Sequence, residues 1–305
     1  MLAVKLFHAV VLGVGGLLHA AISIKLPRGT LQSWRYARVP TLLVLALVFV
    51  KCAQPDGRLP TQLGAQVLLS PAGSQGDRAH AKLIRRAQED PIGLLEEGLE
   101  KCGKRLGSYD GLFILQERID GQLGEPVASY FRFRTSPFSV AMRRLRGKSR
   151  ITRLLYVEGQ NNGQLVVRLS GLLGKLASGV EVDPDGPLAR KGCLHAVTDF
   201  GLENALKRIL KAYKQAAGRN QLDSECLGIG MLEGRLVLTL KKTGPDGSTI
   251  VDLDVETLLP VRVRRYTAED MLLAYYHYKN LNFSRSFTDA EFSREANGLS
   301  DREKR

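Results

Sequence analysis

Hydrophobic and polar residues alternate along the chain between Thr249 and Phe292, the period-2 pattern of half-buried β-strands. The apolar positions of the first two strands fall on one face: Val251, Leu253, Val255, Val261 and Val263. Acidic and basic residues occupy the other face, and an aromatic-rich third strand follows at residues 272–283. The pattern predicts an antiparallel sheet with one apolar face and one wet, basic face. Such a sheet suits holding a ligand better than transforming it.

Two segments show helical spacing instead. The first has Asp90 as a predicted N-cap, Pro91 at the first helical position and Gly107 as its end. Its apolar stripe consists of Ile92, Leu95, Leu99, Cys102 and Leu106. The second is predicted from Asp199 to Ala217, with Gly218 as its stop. Its apolar face consists of Leu202, Leu206, Ile209, Leu210 and Tyr213.

Five strands are predicted between these helices, within residues 109–169, and Asp120-Gly121 predicts a tight turn between the first two. Residues 170–195 predict an irregular excursion, and five more strands follow the second helix. The fold class is therefore α+β, with one large antiparallel sheet packed against two helices. We place this domain at residues 88–292, after a Pro/Gly-rich linker at 56–87 and before a polar, disordered tail at 293–305.

The N-terminal region differs from the rest in charge. Residues 1–51 hold six bases and no acid, which leaves 38 of the 44 bases against 31 acids in the remainder. Apolar stretches at Leu6–Ile24 and Val39–Val50 predict a membrane or targeting region at residues 1–55. A two-span hairpin, an uncleaved signal anchor and a later true start with a signal at about residues 30–55 all remain open. Each keeps the basic segment Lys25–Arg38 in the cytoplasm, so we expect the domain on the periplasmic side of the cell envelope.

The four cysteines show no metal-binding spacing. Cys52 follows Lys51 where a small residue is wanted, so lipidation of Cys52 is not favoured. A disulfide between Cys193 and Cys226 is one option for the exported part. Buried single cysteines are the other and the favoured one.

Several short motifs, in one order, resemble the bacterial domain-of-unknown-function family 1571 over about residues 88–292. The residues that carry the resemblance are Gln116, Glu117, Arg118, Pro137, Phe138, Tyr156, Gly159, Asp183, Pro184, Gly186 and Pro260. The terminal strands, with D-x-E-T-x-L-P-V-R-V at residues 254–263, are similar to the ends of LolA, LolB and RseB-type envelope domains. That resemblance implies a half-open barrel whose concave face receives lipid acyl chains, with helices as a lid.

Candidate catalytic and metal sites are weak. For Glu117 and Arg118, a cross-strand pair on a solvated face is favoured over a functional ion pair. Asp183 and Asp185 hint at a calcium loop, but its twelfth position would be Leu194, so we interpret a turn. Cys193 and His195 lack a third partner and an oxyanion-hole motif, and His277 has no second histidine nearby. The sequence therefore predicts no enzyme, no metal and no cofactor.

One basic run stands out between residues 143 and 150. It consists of Arg143, Arg144, Arg146, Lys148 and Arg150. Nucleic-acid binding would need aromatic interleaving or a recognisable module, and neither is present. Contact with an anionic lipid or cell-wall surface and a merely solvated hairpin loop are left as alternatives.

The prediction is a non-enzymatic, membrane-anchored envelope protein that buries an acyl chain of a lipid or lipoprotein on the concave face of its sheet. The predicted ligand-binding residues are Phe131, Phe133, Leu236, Leu238, Leu240, Val261, Val263, Tyr276 and Tyr278. The alternative is an RseB-type sensor that binds a peptide or an envelope protein at the groove or the sheet edge. Continuous apolar cavity walls would favour lipid, whereas a filled barrel with an exposed edge would favour protein.

Overall fold

A computed structural model describes residues 75–300 apart from 173, 175–178 and 191–192. The helices are α1 (Gln75–Glu89), α2 (Pro91–Arg105), α3 (Pro187–Arg190) and α4 (Leu202–Gly218). The strands are β1 (Ser108–Ile119), β2 (Gln122–Leu123), β3 (Val127–Arg134), β4 (Ser139–Arg146), β5 (Ile151–Val157), β6 (Leu165–Leu169), β7 (Val180–Val182), β8 (Asp223–Leu232), β9 (Arg235–Gly244), β10 (Gly247–Asp254), β11 (Pro260–Tyr266) and β12 (Leu272–Asn282).

All twelve strands form one antiparallel sheet that does not close on itself. Its order is β7-β6-β5-β4-β3-β1-β12-β11-β10-β9-β8, with the short β2 paired to β1. The predicted α+β class and large antiparallel sheet are confirmed. Besides the five strands predicted before the second long helix, the structure has β2 and β7, which are only two and three residues long. Asp120 and Gly121 form the predicted turn with φ of 50° and 78°, as a tight hairpin requires.

The predicted helix at Asp90 is confirmed, since the Asp90 carboxylate accepts from the Gly93 N–H at 2.8 Å. The second long helix starts three residues later than predicted. Gly201 has φ of 112°, a value that glycine adopts readily. This residue lies between a 3-10 turn at Val197–Asp199 and α4. The Tyr109 hydroxyl then accepts from the Leu202 N–H at 2.8 Å, so a tertiary hydrogen bond selects the helix start.

Helices α1, α2 and α4 pack on one face of the sheet, which we call the inner face. The helix-side core joins leucines of α2 and α4 to strands β9–β11: Leu94, Leu95, Leu206, Leu210, Leu238, Leu240, Val251 and Leu253. A second cluster gathers aromatic rings under the start of α4: Tyr109, Phe131, Phe133, Phe200 and Tyr278. These two clusters attach the helices to opposite halves of the sheet.

The predicted linker at 56–87 is wrong from residue 75 onward, because Gln75–Glu89 is helical. Ala87 is buried, and Leu83 and Ile84 pack against the helix-side core. Spacings of three and four residues put these side chains on one side of a helix that is otherwise polar. Because most of its residues are polar, the composition of this segment indicated a linker. Residues 56–74 and the predicted membrane region at 1–55 lie outside the described residues. Among described residues, no helix is long and apolar enough to cross a membrane.

The predicted tail at 293–305 is also wrong as far as residue 300. Phe287, Phe292 and Leu299 pack on the outer face against Ala141, Leu155, Val157 and Val166. Arg153 and Arg168 of that face donate to the backbone oxygens of Asn297 and Gly298, at 2.9 and 3.3 Å. The polar composition misled the prediction, since the segment binds the sheet through one hydrophobic side chain, Leu299, and through the backbone oxygens of Asn297 and Gly298. Residues 301–305 lie outside the described residues.

The polar face of the terminal strands is less wet than predicted. Asp252 is 1% exposed and accepts from Thr239 at 2.7 Å, from Arg262 at 2.5 Å and from Arg264 at 3.2 Å. His277 on the same face is 4% exposed, and its Nδ1 lies 3.0 Å from the Tyr275 hydroxyl. Long arginine side chains cover the Asp252 carboxylate. The alternating charges on this face therefore form ion pairs that are largely shielded from water.

Candidate functional site

A cavity of about 620 Å³ lies between the inner face of the sheet, α4 and the segment that precedes α4. This volume falls within the ~300–1,000 Å³ range of small-molecule sites. The cavity-lining part of α4 runs from Ala205 to Ala216 and continues to Arg219. The preceding segment contributes residues 193–200 except Leu194 and Thr198.

Cross-strand register orders the sheet wall of the cavity into rows. One row is Phe113 beside Tyr278, and the next is Leu115, Tyr276 and Val263. Further apolar lining comes from β4–β6 and from the segment before α4: Met142, Leu154, Leu165, Val197 and Phe200. Rings contribute much of this wall, with the centroids of Phe113 and Tyr278 4.8 Å apart. This part of the cavity is lined mainly by apolar and aromatic side chains.

The third row is charged. Glu117 of β1 is paired with Ala274, Ala274 with Arg265, Arg265 with Thr249, and Thr249 with Lys242. This row lies toward the sheet end that carries the β9–β10 turn, and residues 244–249 of that turn also line the cavity. Arg219 and Arg208 also line the cavity, and the Arg208 charge acts on His195, Tyr276 and Tyr278. The sheet wall of the cavity is therefore mainly apolar in its first two rows and charged in the row toward the hairpin end.

Glu117 is a buried member of this charged row. It is 7% exposed and accepts from the Tyr276 hydroxyl at 2.6 Å and from the Leu194 N–H at 3.1 Å. Burial raises the pKa of the Glu117 carboxyl, and the two hydrogen bonds oppose that rise. The favoured interpretation of a solvated cross-strand pair is wrong. Arg118 points elsewhere and donates to the carbonyl oxygens of Leu272 and Gly121.

Cys193 and His195 also line the cavity, but their chemistry is not that of a nucleophile and base. Burial, with the neighbouring Glu117 charge, raises the pKa of the Cys193 thiol. Burial and the charges of Arg208 and Arg265 lower the pKa of His195 to about 4. A thiolate–imidazolium pair needs both shifts in the opposite direction. The site thus holds a neutral thiol and a neutral imidazole.

The structure divides the predicted ligand-binding residues into three groups. Val263, Tyr276 and Tyr278 line the cavity. Five others are buried in packed protein and are not among the described lining residues: Phe131, Phe133, Leu238, Leu240 and Val261. Leu236 is 38% exposed because it lies at the β8–β9 hairpin end, opposite the exposed Met231. The inner-face assignment was useful, but most of that face is solid core under the helices.

Most residues that carried the family resemblance have structural roles. The Gln116 side chain donates to the Gly124 carbonyl oxygen, and the Phe138 ring packs between Phe133 and Tyr156. Pro137 and Pro184 lie in turns, Pro260 starts β11, and Gly159 has φ of 77°. Asp183 accepts from the Asp185 N–H at 2.9 Å and Gly186 closes that turn, as interpreted. Among the motif residues in the described range, Glu117 alone lines the cavity.

The predicted basic run forms the end of β4 and the β4–β5 turn. Its side chains at 143, 146, 148 and 150 are exposed, and Lys148 pairs with Glu125 at 2.9 Å. Arg144 is half-buried and donates to the Ser149 carbonyl oxygen. Arg143 is opposite Arg153, which is opposite Arg168, so an arginine row crosses three strands on the outer face. We call residues 143–150 the basic hairpin.

Cys102, Cys193 and Cys226 are free thiols, so the Cys193–Cys226 disulfide option is wrong. Within the described ranges, no group of three or more His, Cys, Asp or Glu side chains could hold a metal ion.

Sequence reasoning missed the cavity cations Arg208, Arg219, Lys242 and Arg265. A signal was present for two of them. Arg265 has the same parity as Val261 and Val263, and Lys242 the same parity as Leu238 and Leu240. A charged residue at a position that is otherwise apolar along the strand therefore indicated that this part of the inner face is not solid core.

The fold and the cavity define a class of open antiparallel sheets with helices on one face and a ligand-sized space beneath one helix. A model of the protein family of unknown function DUF1571 matches residues 106–298, so the chain belongs to this family, as predicted. The comparison with curated proteins found no match.

Solved structures of the predicted group are similar to the chain. MucB is 16% identical with a TM-score of 0.41, and the match covers 68% of this chain but only 64% of MucB. Lipoprotein LppX from Mycobacterium tuberculosis is 12% identical, with coverages of 66% and 100% and a TM-score of 0.39. A LolA superfamily protein from Nitrosomonas europaea is 10% identical, with coverages of 66% and 98% and a TM-score of 0.32. At these scores the similarities say nothing about ligands.

Proposed function

We propose that this chain is a non-enzymatic envelope protein that holds an acyl chain of a lipid or lipoprotein in the cavity beneath α4. The observation that carries the proposal is the cluster of apolar and aromatic lining residues formed by Phe113, Leu115, Leu154, Phe200 and Tyr278. A mainly apolar wall can exclude water around a hydrocarbon chain.

The energetics suit such a ligand. Burial contributes roughly 0.8 kcal/mol per methylene, so about ten methylenes supply roughly 8 kcal/mol before the entropic cost of binding. Only a few interactions with the polar head are then needed for micromolar affinity.

A binding role is favoured over catalysis by the state of the cavity's titratable groups. The Cys193 and His195 side chains make no hydrogen bond in the described part of the chain. Their pKa shifts also keep both groups uncharged near neutral pH.

The proposed envelope location and N-terminal membrane anchor are supported by residues 1–55, whose charge pattern favours export of the following domain. The basic hairpin is proposed to face an anionic surface, which its exposed cations favour. A photo-crosslinking residue at Lys148 should label phosphatidylglycerol in proteoliposomes of the full chain. The same probe at Glu158, an exposed position at the opposite sheet end, should not, and equal labelling would contradict the orientation.

The function is tested by native mass spectrometry of the full chain, purified in mild detergent. We expect a co-purified lipid mass in the wild type. Leu115→Trp should fill the cavity and remove that mass. The control is Leu227→Trp at the exposed sheet edge, which should keep it.

Two results would contradict the proposal. One is the absence of lipid from wild-type protein that also fails to bind an added fluorescent fatty acid. The other is a co-purified peptide in place of lipid, which would favour the alternative of an RseB-type partner strand on β8. Leu227 and Met231 on that edge strand are exposed, so the alternative has a surface available.

A further inference from the structure

The charged row of the cavity is the feature that acyl-chain binding alone does not explain. Apolar residues usually occupy the inner positions of strands in this sheet, yet Arg265 and Lys242 stand at such positions on β11 and β9. Both are half-buried and line the cavity, and Arg219 joins them from the residue after α4. Three cations therefore line a cavity whose neighbouring strand rows are mainly apolar.

No carboxylate in the described part of the chain lies within ion-pair distance of these cations, although the Glu117 charge acts on Arg265. In the described part of the chain, Arg219, Lys242 and Arg265 form no ion pair, and their side chains donate no hydrogen bond. Arg208 differs, because it donates to the Asp199 carbonyl oxygen at 2.6 Å. Three acids line the cavity, namely Glu117, Asp199 and Asp246. Glu117 already accepts from Tyr276 and Leu194, and none of the three forms an ion pair with these cations. Lys242 and Arg265 are half-buried, whereas Arg219 is exposed. A partly buried cation without an ion-pair partner is costly, so the retention of Lys242 and Arg265 in this wall calls for an anion.

The order of the rows then orients a ligand. Rows of Phe113 with Tyr278 and of Leu115 with Tyr276 precede the row of Arg265 and Lys242 toward the hairpin end. A hydrocarbon chain in the apolar rows would place its first polar atoms beside Arg265. Guanidinium groups bind carboxylate and phosphate oxygens in a two-pronged geometry that an ester or hydroxyl cannot match.

Building on the proposed function, we propose that the cavity takes an amphiphile with an oxyanion head group, held by Arg265 with Lys242 and Arg219. A free fatty acid and a single-chain phospholipid with a terminal phosphate share this chemistry. Neutral lipids of equal chain length would fill the apolar rows but leave the cations unpaired.

The experiment uses the full chain in an amphipol and displacement of cis-parinaric acid, a fluorescent fatty acid. Competitors of equal chain length are palmitate, palmitoyl lysophosphatidic acid and neutral monopalmitoylglycerol. We expect the better oxyanion ligand to bind at least about tenfold more tightly than the neutral ester, as one charge-assisted interaction supplies. Comparison of the first two competitors distinguishes carboxylate from phosphate.

Variants locate the effect. Arg265→Gln should weaken oxyanion binding about tenfold and change neutral-ester binding less than about twofold. Lys242→Gln should act in the same direction and serves if the first variant is poorly folded. The matched control is Arg264→Gln on the same strand, whose side chain bonds Asp252 on the outer face and should leave the selectivity unchanged.

Outcomes separate the two proposals. Equal affinity for charged and neutral ligands, unaffected by either cavity variant, would overturn the oxyanion site and leave acyl-chain binding intact. Failure of wild-type protein to bind any of the competitors or the probe would overturn acyl-chain binding, and the oxyanion site with it.

Discussion

The division of the inner face into solid core and cavity wall can be tested by truncating one leucine in each part. Leu238 is 0% exposed and packs in the helix-side core with leucines of α2 and α4. Leu115 lies on the same face but lines the cavity and is only half-buried. The same chemical change, Leu→Ala, should therefore have different costs at the two positions.

The magnitude follows from the packing. Each truncation removes three carbon atoms, and loss of their burial costs roughly 2.4 kcal/mol at about 0.8 kcal/mol each when the side chain is fully enclosed. At Leu238 a new void adds to this, so Leu238→Ala should cost about 3–5 kcal/mol. At Leu115 the space is already hollow, and Leu115→Ala should cost about 1 kcal/mol or less.

The assay is urea unfolding of the full chain followed by far-UV circular dichroism. Fluorescence is unsuitable because the one tryptophan, Trp34, lies outside the described domain. Equal m-values would show that the same surface unfolds in each variant. Equal and large losses for both variants would refute the cavity, and a loss below about 1 kcal/mol at Leu238 would refute the solid core.

Two further predictions test other parts of the fold. Phe292→Ala should destabilise the protein by about 3–5 kcal/mol in the same assay, because Phe292 is 1% exposed beneath the Arg134 guanidinium. A change below about 0.5 kcal/mol would contradict the packing of Phe292 on the outer face. Burial lowers the pKa of His277 from 6.5 to about 4 in the folded chain. Below pH 6.5 the unfolded chain therefore binds more protons than the folded chain, and the free energy of unfolding should fall as the pH decreases toward 4. His277→Gln should remove roughly 3 kcal/mol of that pH dependence. The measurement is the free energy of unfolding of the wild type minus that of the variant, compared at pH 7 and at pH 4. The same difference at both pH values would contradict the lowered pKa.

Much of the fold could be predicted because its signals are local. Period-2 alternation located β8–β12, Asp120-Gly121 located the first hairpin, and Asp90-Pro91 located the start of α2. Local signals failed where a tertiary contact decides the outcome. The start of α4 depends on Tyr109, ninety-three residues away, and the ordering of residues 293–300 depends on strands β4–β6.

The sequence by itself determined which side chains share a face of each strand, because alternation follows from backbone geometry alone. It thereby placed Val263, Tyr276 and Tyr278 with Leu238 and Leu240 on one surface. Only the tertiary structure decided that helices fill the space over the leucines and leave it open over the tyrosines. Spacing along a strand carries no information about where a helix from elsewhere in the chain will lie. Only the position of α4 in the structure therefore shows that Arg265 and Lys242 line a cavity.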